Sequence, residues 1–426
     1  MKVVPISLST AEFIAKALPL LNNYYDQVVY LNPNQYPDYP NKPFRHLLAF
    51  GAVSAMYVFN DTRVFDSWKH IRNAHSTDWL FIYIAYDAKN SVEKLSNSQE
   101  PGIDFNAASF FIPEHVWEIT SEGIILHKGN ASVLISEIET NHKTEEVEHS
   151  PITLHALTSK ETYLESVVFI QSQLEKGNAY EINYCIPFKG SGVIDPVKTY
   201  LKLNKLSPMP FSAYFKYSDQ HIICASPERF IKKENNKLFS QPIKGTSKRG
   251  ENAEDDFELL NQLRHSEKEK SENNMIVDLV RNDLSRTAAD GSVKVSELRG
   301  IYTFPNVHQM ISTITSELHS DYDIIDAIKY AFPMGSMTGA PKINAMELID
   351  GLEPVSRGPF SGSIGYMDPD NNVDFNVLIR SIFFNSSTQT ILMEAGSAIT
   401  CYADPKEEYE ECMLKIAPLK KIIEGN

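Results

Sequence analysis

The chain has 426 residues, 42% of them hydrophobic, which is enough for one large core or for several domains. Its net charge of -15 argues against nucleic acid or an anionic membrane surface as a partner. Functions that depend on a basic surface are therefore set aside.

The cysteines and the apolar stretches predict the compartment. Cys185, Cys224, Cys401 and Cys412 lie far apart and form no CxxC pair, which is typical of reduced thiols and not of a structural zinc site. The first residues, MKVVPISLSTAEFIAKALPLLNNYYD, lack the features of a signal peptide, and no run of about 18 apolar residues could span a membrane. We therefore expect a cytoplasmic protein.

Apolar and β-branched residues predict strands in the first 150 residues. WLFIYIAYD and SFFIPEHVWEI have typical strand compositions, and EGIILHKGNASVLISEI predicts a hairpin that turns at Gly129-Asn130. The segment ETNHKTEEVEHSP, residues 139–151, is charged and ends in proline, so it predicts an exposed linker. This linker divides the chain into an N-terminal region, 1–150, and a second region, 151–426.

After residue 151, predicted helices and strands form separate clusters. Helices are predicted at residues 160–177, 254–287, 322–331, 340–350 and 405–417. Pro418 is expected to stop or kink the last of them. A hairpin is predicted at Asn235-Asn236, and FSGSIGYMD, NVDFNVLIRSIFF and QTILMEAGSAIT predict a β-meander. Since strand and helix do not alternate regularly, the sequence predicts an α+β fold with large antiparallel sheets flanked by helices.

A glutamate on an apolar helix face is the first candidate site residue. In SENNMIVDLVRNDLSR, Glu272 precedes Met275, Ile276 and Leu279 at spacings of three, four and seven. Residues at these spacings share one face of a helix, so Glu272 is predicted to lie on an apolar stripe. An unpaired carboxylate in such a place costs on the order of several kcal/mol.

The last helix carries two further glutamates of this kind. Asp404 is a suitable N-cap for DPKEEYEECMLKIAPLKK, and Glu408 then leads a stripe with Cys412 and Ile416. Glu411 lies beside that stripe. Two interpretations stay open: a divalent cation such as Mg²⁺, which binds one or two carboxylates together with waters and a substrate anion, or ordinary salt bridges at wet helix edges.

The segment SQPIKGTSKRG places Lys244 at the end of a predicted strand. If Asn235-Asn236 forms a two-residue turn, Glu228 opposes Ile243 and lies within reach of Lys244. The pair is either a surface ion pair, worth at most about 1 kcal/mol, or a lysine nucleophile beside a carboxylic acid/base. The second role needs a neutral amine, so burial must lower the lysine pKa by roughly 3 units from about 10.4.

Two other features, Arg380 and the segment EAGSAIT, each admit two interpretations. Arg380 is predicted mid-strand in NVLIRSI, on the face of Leu378 and Ile382, where either a glutamate or a substrate carboxylate would balance its charge. EAGSAIT either presents backbone N–H groups to a carboxylate or simply ends a strand. GSMTGAPK lacks the spacing of a phosphate-binding P-loop.

Seven motifs occur together and in order: PIKGT, SENNMIVDLVRNDLSR, FPNVHQMIST, FPMGSMTGAPKINAMELIDGLEP, RGPFSGSIGY, VLIRS and DPKEEYEE. This series resembles the chorismate-utilising enzymes, among them anthranilate synthase component I, aminodeoxychorismate synthase component I, and isochorismate and salicylate synthases. The resemblance covers about residues 160–420 and is weaker in residues 1–150. It implies a fold like that of anthranilate synthase component I, chorismate as substrate and Mg²⁺ as cofactor.

The resemblance also assigns roles to the candidate residues. It implies that Glu272 and Glu411 hold Mg²⁺, with Glu408 behind them, and that the ion neutralises a substrate carboxylate and orients the ring. The residues implied to bind the other substrate carboxylate are Gly245, Thr246, Tyr366, Arg380 and the backbone at Gly396, Ser397 and Ala398.

Lys244 distinguishes members within this family. Anthranilate synthases carry alanine at this position, whereas the lysine form, PIKGT, resembles aminodeoxychorismate synthase component I. The resemblance implies that Lys244 attacks ring carbon C2 while the C4 hydroxyl leaves, and that ammonia then adds at C4 and expels the lysine. The implied product is 4-amino-4-deoxychorismate, on the way to 4-aminobenzoate and folate, with Glu228 as general acid/base.

Some positions depart from the family pattern. Glu181 stands where isochorismate and salicylate synthases carry a water-activating lysine, which favours ammonia over water as the nucleophile. Gln309, next to His308, stands where most members have histidine, and glutamine forms hydrogen bonds but does not titrate. Ala398 replaces the usual second glycine of the carboxylate loop and allows fewer backbone conformations.

The source of ammonia and two alternative functions complete the predictions. The sequence shows no nucleophilic cysteine accompanied by a His-Glu pair, so ammonia is expected from a separate glutamine amidotransferase subunit, component II, or from solution. Anthranilate synthase component I is one alternative, and a non-catalytic chorismate-binding subunit is the other. Retention of Lys244, Glu228, Glu272 and Glu411 argues against the non-catalytic subunit.

Overall fold

A computed structural model describes residues 2–36, 38–95, 97–130, 132–140, 152–305 and 307–425. The helices in these ranges are α1 (Thr10–Tyr24), α2 (Val64–Ala74), α3 (Ser132–Thr140), α4 (Lys160–Glu175), α5 (Pro196–Leu206), α6 (Ala253–His265), α7 (Glu267–Ser285), α8 (Ile324–Ala331), α9 (Lys342–Leu352) and α10 (Pro405–Glu424). The strands are β1 (Lys2–Val4), β2 (Gln27–Asn32), β3 (Leu47–Val58), β4 (Leu80–Ile84), β5 (Ala108–Thr120), β6 (Gly123–Lys128), β7 (His155–Ala156), β8 (Glu181–Ser191), β9 (Phe211–Tyr217), β10 (Gln220–Ser226), β11 (Arg229–Glu234), β12 (Lys237–Gln241), β13 (Ile243–Lys248), β14 (Lys294–Thr303), β15 (Val307–Glu317), β16 (Gly339–Ala340), β17 (Ser363–Met367), β18 (Val373–Asn376), β19 (Ser381–Asn385) and β20 (Thr390–Ile399).

The strands form two antiparallel arms that share β5. The first arm follows the pairings β6–β5–β3–β2–β9–β10–β19–β20–β8. The second arm follows β5–β4–β17–β18–β11–β12–β15, with β13 and β14 also paired to β15. β5 serves both arms because its first half lies between β3 and β4 and its second half between β3 and β6. This architecture confirms the predicted α+β fold with large antiparallel sheets.

One hydrophobic core includes residues from both arms, for example Val29 and Phe383 in the first and Phe81 and Ile364 in the second. All residues of β4, LFIYI, and of β10, QHIICAS, are buried. Because successive side chains of a strand point to opposite faces, both faces of these strands are covered. The faces of these two strands are therefore not open to solvent.

The chain passes between the two arms at two adjacent places. Residues 227–228 connect β10 of the first arm to β11 of the second, and residues 377–380 connect β18 back to β19. The two crossings run side by side, since the N–H of Val377 donates to the Glu228 carbonyl (3.1 Å) and the N–H of Ala225 donates to the Arg380 carbonyl (3.2 Å). Glu228 and Arg380 therefore sit together where the arms join.

This crossing corrects the mid-strand prediction for Arg380. The strands end at Asn376 and resume at Ser381, and Arg380 itself has a φ of 50°. Such a conformation is uncommon for a residue other than glycine and does not occur in a strand. The chain turns here because it moves from one arm to the other.

Other local predictions have mixed outcomes. The hairpin at Asn235-Asn236 is confirmed, and so are the helices predicted after residue 160. The hairpin at Gly129-Asn130 is wrong: α3 follows β6, because Ile135 and Ile138 recur at helical spacing and both are buried. Helix α10 does not stop at Pro418.

Residues 141–151, most of the predicted linker, lie outside the described residues, and residues 139–140 end α3. Strands from both sides of the linker pair with each other, as β2 does with β9 and β4 with β17. The division of function at residue 150 stays a prediction. In the described part of the chain, no helix combines the length and the apolar character needed to cross a membrane.

Candidate active site

A cleft of about 860 Å³ opens between the two arms, at the ends that lie away from the shared strand β5. β13 and β15 of the second arm, β20 of the first arm, the two crossings, α7 and α10 all contribute to its walls. The predicted site residues that line it are Glu228, Lys244, Gly245, Thr246, Glu272, Arg380, Gly396, Ala398, Glu408 and Glu411. Segments from the whole second region of the chain thus meet in one place.

A β-bulge directs Lys244 into the cleft. β13 pairs with β15 at Ile243↔Ile311 and again at Thr246↔Gln309, so one extra residue is accommodated between the two pairs. Gly245 has a φ of 96°, and a Cβ at this position would lie 3.0 Å from Glu269 Oε2. The glycine after Lys244 is therefore required by the turn of the backbone, which re-aims the lysine side chain.

The hydrogen-bond partner of Lys244 is Glu181 and not Glu228, which corrects the sequence-based pairing. Lys244 Nζ donates to Glu181 Oε1 at 2.6 Å, and both side chains are buried, with 9% and 4% exposed. Glu228 Oε1 instead accepts from the Ser336 hydroxyl at 2.6 Å. The hairpin register shifts between Arg229 and Lys232, so extrapolation from the turn misplaces the residues beyond it. The sequence pattern indicates for Glu181 only that it replaces the water-activating lysine of isochorismate and salicylate synthases.

The charge state of Lys244 also differs from the prediction. Burial acts to lower the pKa of Lys244, but Glu181, Glu272 and Glu228 outweigh it and raise the pKa above its ordinary value. The free protein therefore holds Lys244 as an ammonium. A nucleophilic role requires a group nearby that removes the proton.

Glu228 has the properties of an acid/base group near neutral pH. Burial raises its pKa to about 7, although the Ser336 hydroxyl and the Lys244 charge act to lower it. A carboxyl group that titrates near the working pH can both give and accept a proton. Its position on the crossing between the arms keeps it at the cleft wall.

Glu272 lies on the buried face of α7, as the apolar stripe predicts. Its Oε1 atom is buried and has no hydrogen-bond partner among the described residues. Burial raises the pKa of Glu272 to about 7; Lys244 acts to lower it and Glu181 to raise it further. A carboxylate oxygen without a partner in this place fits a cation.

Glu408 and Glu411 are positioned by α10, which Asp404 caps as predicted. Glu408 is buried and accepts from Lys268 at 3.2 Å. Glu411 is about half exposed and pairs with Lys415 at 2.7 Å. Burial, and then Glu411, raise the pKa of Glu408, whereas Lys415 outweighs the effect of burial on Glu411 and lowers its pKa.

The described residues contain no group of three or more His, Cys, Asp or Glu side chains arranged to hold a metal ion. Mg²⁺ differs from zinc in that it often binds through one or two carboxylates and keeps waters and substrate oxygens as its other ligands. The unpaired oxygen of Glu272, with Glu411 on the same cleft, fits that kind of site.

Two features of the cleft are suited to an anion. Arg380 makes no ion pair within the described residues, and its Nη1 donates a hydrogen bond to the sulfur of Met209 at 3.9 Å. Lys415 Nζ donates a hydrogen bond to the Gly396 carbonyl at 2.9 Å, on the side of β20 that faces away from β8. Because the N–H and the carbonyl of a residue in an antiparallel strand point to the same side, the Gly396 N–H also points away from β8. Ala398, two residues on, has the same orientation.

Ser397 and Tyr366 are not brought into the cleft. Ser397 is fully buried, and its hydroxyl bonds to that of Tyr163 at 2.8 Å. The ring of Tyr366 packs 5.8 Å from that of Trp79 and 6.2 Å from that of Phe81. Because neighbouring residues of a strand face opposite sides, the Ser397 side chain lies on the face opposite that of Ala398, which lines the cleft. Tyr366 is buried in the core by its ring contacts. This corrects the predicted contact of Tyr366 with substrate.

Gln309, which departs from the family pattern, meets the cleft, whereas its neighbour His308 does not. Gln309 lines the cleft, is 1% exposed, and its Oε1 has no partner among the described residues. His308 points away and bonds to Thr303 and Asp256, each at 2.9 Å. The adjacent histidine therefore does not substitute for the residue at position 309.

The chain belongs to the family of chorismate binding enzymes, since the family model matches residues 32–421. A solved structure with the same fold is anthranilate synthase component I from Streptococcus pneumoniae TIGR4, with a TM-score of 0.78 and 22% identity over 92% of this chain and 95% of that one. This likeness confirms the predicted anthranilate synthase component I-like fold.

Curated relatives are similar to the chain over its larger part. "Aminodeoxychorismate synthase component 1" of Bacillus subtilis (strain 168) is 35% identical over 302 residues, which is 69% of this chain and 64% of that protein. "Probable aminodeoxychorismate synthase, chloroplastic" of Oryza sativa subsp. japonica is 40% identical over 270 residues, 62% of this chain and 30% of that protein. The match thus covers less than two thirds of either relative.

Proposed function

We propose that this protein converts chorismate and ammonia to 4-amino-4-deoxychorismate. The observation that carries the proposal is Lys244, a buried lysine that a bulge aims into a cleft with Glu228 in its wall. The names of the relatives support the same reaction. A protein that only bound chorismate would need no buried amine beside an acid/base group.

The substrate would be held by its carboxylates. Arg380 supplies a half-buried cation without a carboxylate partner among the described residues, and a carboxylate that binds beside it would receive charge-assisted hydrogen bonds. The N–H groups of Gly396 and Ala398 point to the same opening, and Thr246 lines it. A glutamate partner for Arg380, the alternative left open by the sequence, is not within ion-pair distance in the described residues.

In the proposed reaction the Lys244 amine forms a bond to ring carbon C2. The ring double bonds shift, the C4–O bond breaks, and Glu228 gives its proton to the departing hydroxyl, which leaves as water. Ammonia then bonds to C4, the double bonds shift back, and Lys244 leaves C2 as a neutral amine. The Glu228 carboxylate takes the surplus proton from the new amino group, which restores the acid.

Mg²⁺ is proposed as the cofactor, held by Glu272 and Glu411, with Glu408 next to them. Bound there, the ion would neutralise a substrate carboxylate and orient the ring. The chain's own residues supply the two negative charges, and Glu272 Oε1 is free to accept the ion.

Ammonia is proposed to come from a separate glutamine amidotransferase subunit, or from ammonium in solution when that subunit is absent. The "component 1" in the name of the Bacillus relative supports such a partner. The product would pass to a lyase that forms 4-aminobenzoate for folate. All four cysteines are free, which supports a reducing compartment such as the cytoplasm.

The test is a product assay with purified protein, chorismate, Mg²⁺ and ammonium chloride. We expect 4-amino-4-deoxychorismate by chromatography, and 4-aminobenzoate once a lyase is added. Fluorescent anthranilate as the direct product would instead assign the chain to anthranilate synthesis. Chorismate binding without turnover would assign it to the non-catalytic alternative.

A further inference from the structure

Lys244 has one hydrogen-bond acceptor within the described ranges, Glu181 Oε1 at 2.6 Å. Four more carboxylates act on its charge from the elements packed around it without an ion pair to it: Glu228, Glu269, Glu272 and Glu411. Together these charges favour the ammonium form. Since proton transfer requires hydrogen-bond contact, directly or through one water, Glu181 is the carboxylate placed to remove the proton.

The position of Glu181 is fixed by its backbone. Glu181 and Ile182, at the start of β8, pair with Ala340 and Gly339 of β16. Gly339 has a φ of 144°, and a Cβ on it would lie 2.0 Å from the Glu181 carbonyl oxygen. Only a glycine allows the two backbones to approach this closely, so the strand pairing holds the carboxylate against Lys244.

The second oxygen of Glu181 has no partner. Oε2 is buried and accepts no hydrogen bond in the described part of the chain. The Lys342–Asp283 pair differs, because Lys342 Nζ bonds to both oxygens of Asp283 at 2.8 Å. The charge of Glu181 is thus stabilised on one side only. Transfer of a proton from Lys244 would turn a buried ion pair into two neutral groups, which lowers the cost of burial.

Glu228 is not placed to do this task. Its Oε1 accepts from Ser336, and it also accepts from the backbone N–H of Ile243. The two carboxylates therefore divide the work by geometry: Glu181 contacts the amine, and Glu228 lies on the crossing that also carries Arg380.

We propose that Glu181 is the proton acceptor of Lys244. This inference rests on the proposed function for its place in the reaction. Before the amine bonds to C2, one proton moves from Nζ to Oε1, and the freed electron pair forms the N–C2 bond. When Lys244 leaves C2 as a neutral amine, Oε1 returns the proton to Nζ, so no external acid or base is consumed.

The first test measures the reactivity of Lys244 without substrate. The protein is acetylated with acetic anhydride between pH 6 and 9, against a phenylalanine standard, and each lysine is quantified by peptide mass spectrometry. Transfer of a proton from Lys244 to Glu181 does not change the number of protons bound to the pair, so the fraction of Lys244 that is neutral does not depend on pH. The wild-type rate at Lys244 should therefore be nearly independent of pH.

In Glu181→Gln the proton must go to solvent, and the rate should rise about tenfold per pH unit. Lys270 is the control, because its pair with Glu267 at 2.8 Å is at the surface. Its labelling should rise with pH in the wild type and in Glu267→Gln alike. If wild-type Lys244 also rises about tenfold per unit, Glu181 only stabilises the ammonium, and the inference is overturned.

The second test is kinetic. Glu181→Gln should lower kcat at pH 7 by at least about 10²-fold with little change in KM for chorismate. The fall of kcat above pH 7 that the loss of the Glu228 proton causes in the wild type should be offset in this variant, because deprotonation of Lys244 by solvent then increases with pH. Glu181→Asp should restore part of the wild-type rate. A uniform loss in Glu181→Gln with an unchanged pH profile would show a structural role. If the wild type forms no 4-amino-4-deoxychorismate, the proposed function fails, while the labelling slopes still decide the role of Glu181.

Discussion

Two sets of buried charges differ in how completely they are paired. In the core, Arg229 binds both oxygens of Asp374, at 2.8 and 2.9 Å, and Arg357 binds both oxygens of Glu353, at 2.8 and 2.6 Å. Backbone carbonyls accept from the remaining donors, for example those of Met337 and Asn183 toward Arg357. These pairs are complete without any ligand.

Around the cleft, by contrast, several buried polar oxygens are left without a partner. The unpaired buried carboxylate oxygens in the described residues belong to Glu181, Glu272 and Glu394, and the amide oxygen of Gln309 joins them. Each unmet acceptor costs about 1–3 kcal/mol or more. In the core pairs both carboxylate oxygens are bound, whereas an oxygen stays unpaired on groups that line the cleft, such as Glu272 and Gln309, or that contact Lys244, as Glu181 does. The comparison suggests where a substitution should affect stability and where it should affect activity.

The largest effect is expected from Lys244→Ala, which removes the proposed nucleophile. The rate of 4-amino-4-deoxychorismate formation should fall by at least about 10³-fold, in the range seen when a covalent nucleophile is lost. Chorismate binding, measured by calorimetry, should persist because Arg380 and the β20 backbone remain. A variant that keeps more than about a tenth of the rate would rule out covalent participation.

The next largest effect is expected on stability, when one of the fully paired core charges loses its partner. Arg357→Met should lower the free energy of unfolding by about 3–5 kcal/mol, because it leaves the Glu353 charge buried without a partner. Urea denaturation measures the change. The double variant Arg357→Met/Glu353→Met, which removes both charges, should recover most of the loss. If the single and double variants unfold alike, the unpaired charge is not the cause.

Glu228→Gln should slow the reaction by about 10²–10³-fold, since the amide cannot protonate the departing hydroxyl. In the wild type, kcat should fall as pH rises through about 7, because the carboxyl of Glu228 loses its proton there. The variant should lack this fall. Stability at pH 7 serves as the control. A wild-type profile that is flat between pH 6 and 8 would contradict the assignment.

Glu272→Gln should increase stability in the absence of metal. The pKa of Glu272 is raised from 4.5 to about 7 in the folded protein, so the folded state binds more protons than the unfolded state between these values. Stability from this group therefore falls as pH rises from about 4.5 to 7. The advantage of the variant should grow by about 2–3 kcal/mol over that interval and be constant above it. Thermal unfolding in EDTA at pH 4.5, 6 and 8 measures it, and an advantage that shrinks with pH would be inconsistent with a buried, unpaired carboxylate.

Most local elements after residue 160 and the residue types of the cleft could be predicted from the sequence. The stripes that carry Glu272 and Glu408, the Asp404 cap and the turn at Asn235-Asn236 follow from periods of a few residues, and each is present in the structure. The family motifs then placed Lys244 and Arg380 in one site. Such patterns are visible in a sequence because helices and tight turns are specified by neighbours within about four residues.

Which of these groups are in contact could not be predicted from the sequence, because it depends on how distant strands pair. Glu181 lies 63 positions from Lys244, and no local period links them. A bulge at Gly245 and a register shift near Arg229 moved the expected partner Glu228 out of contact, and Tyr366 packs in the core against Trp79. A single extra residue in a strand changes where every later side chain points, so the pairing of distant strands had to be seen before the acceptor of the lysine proton could be named.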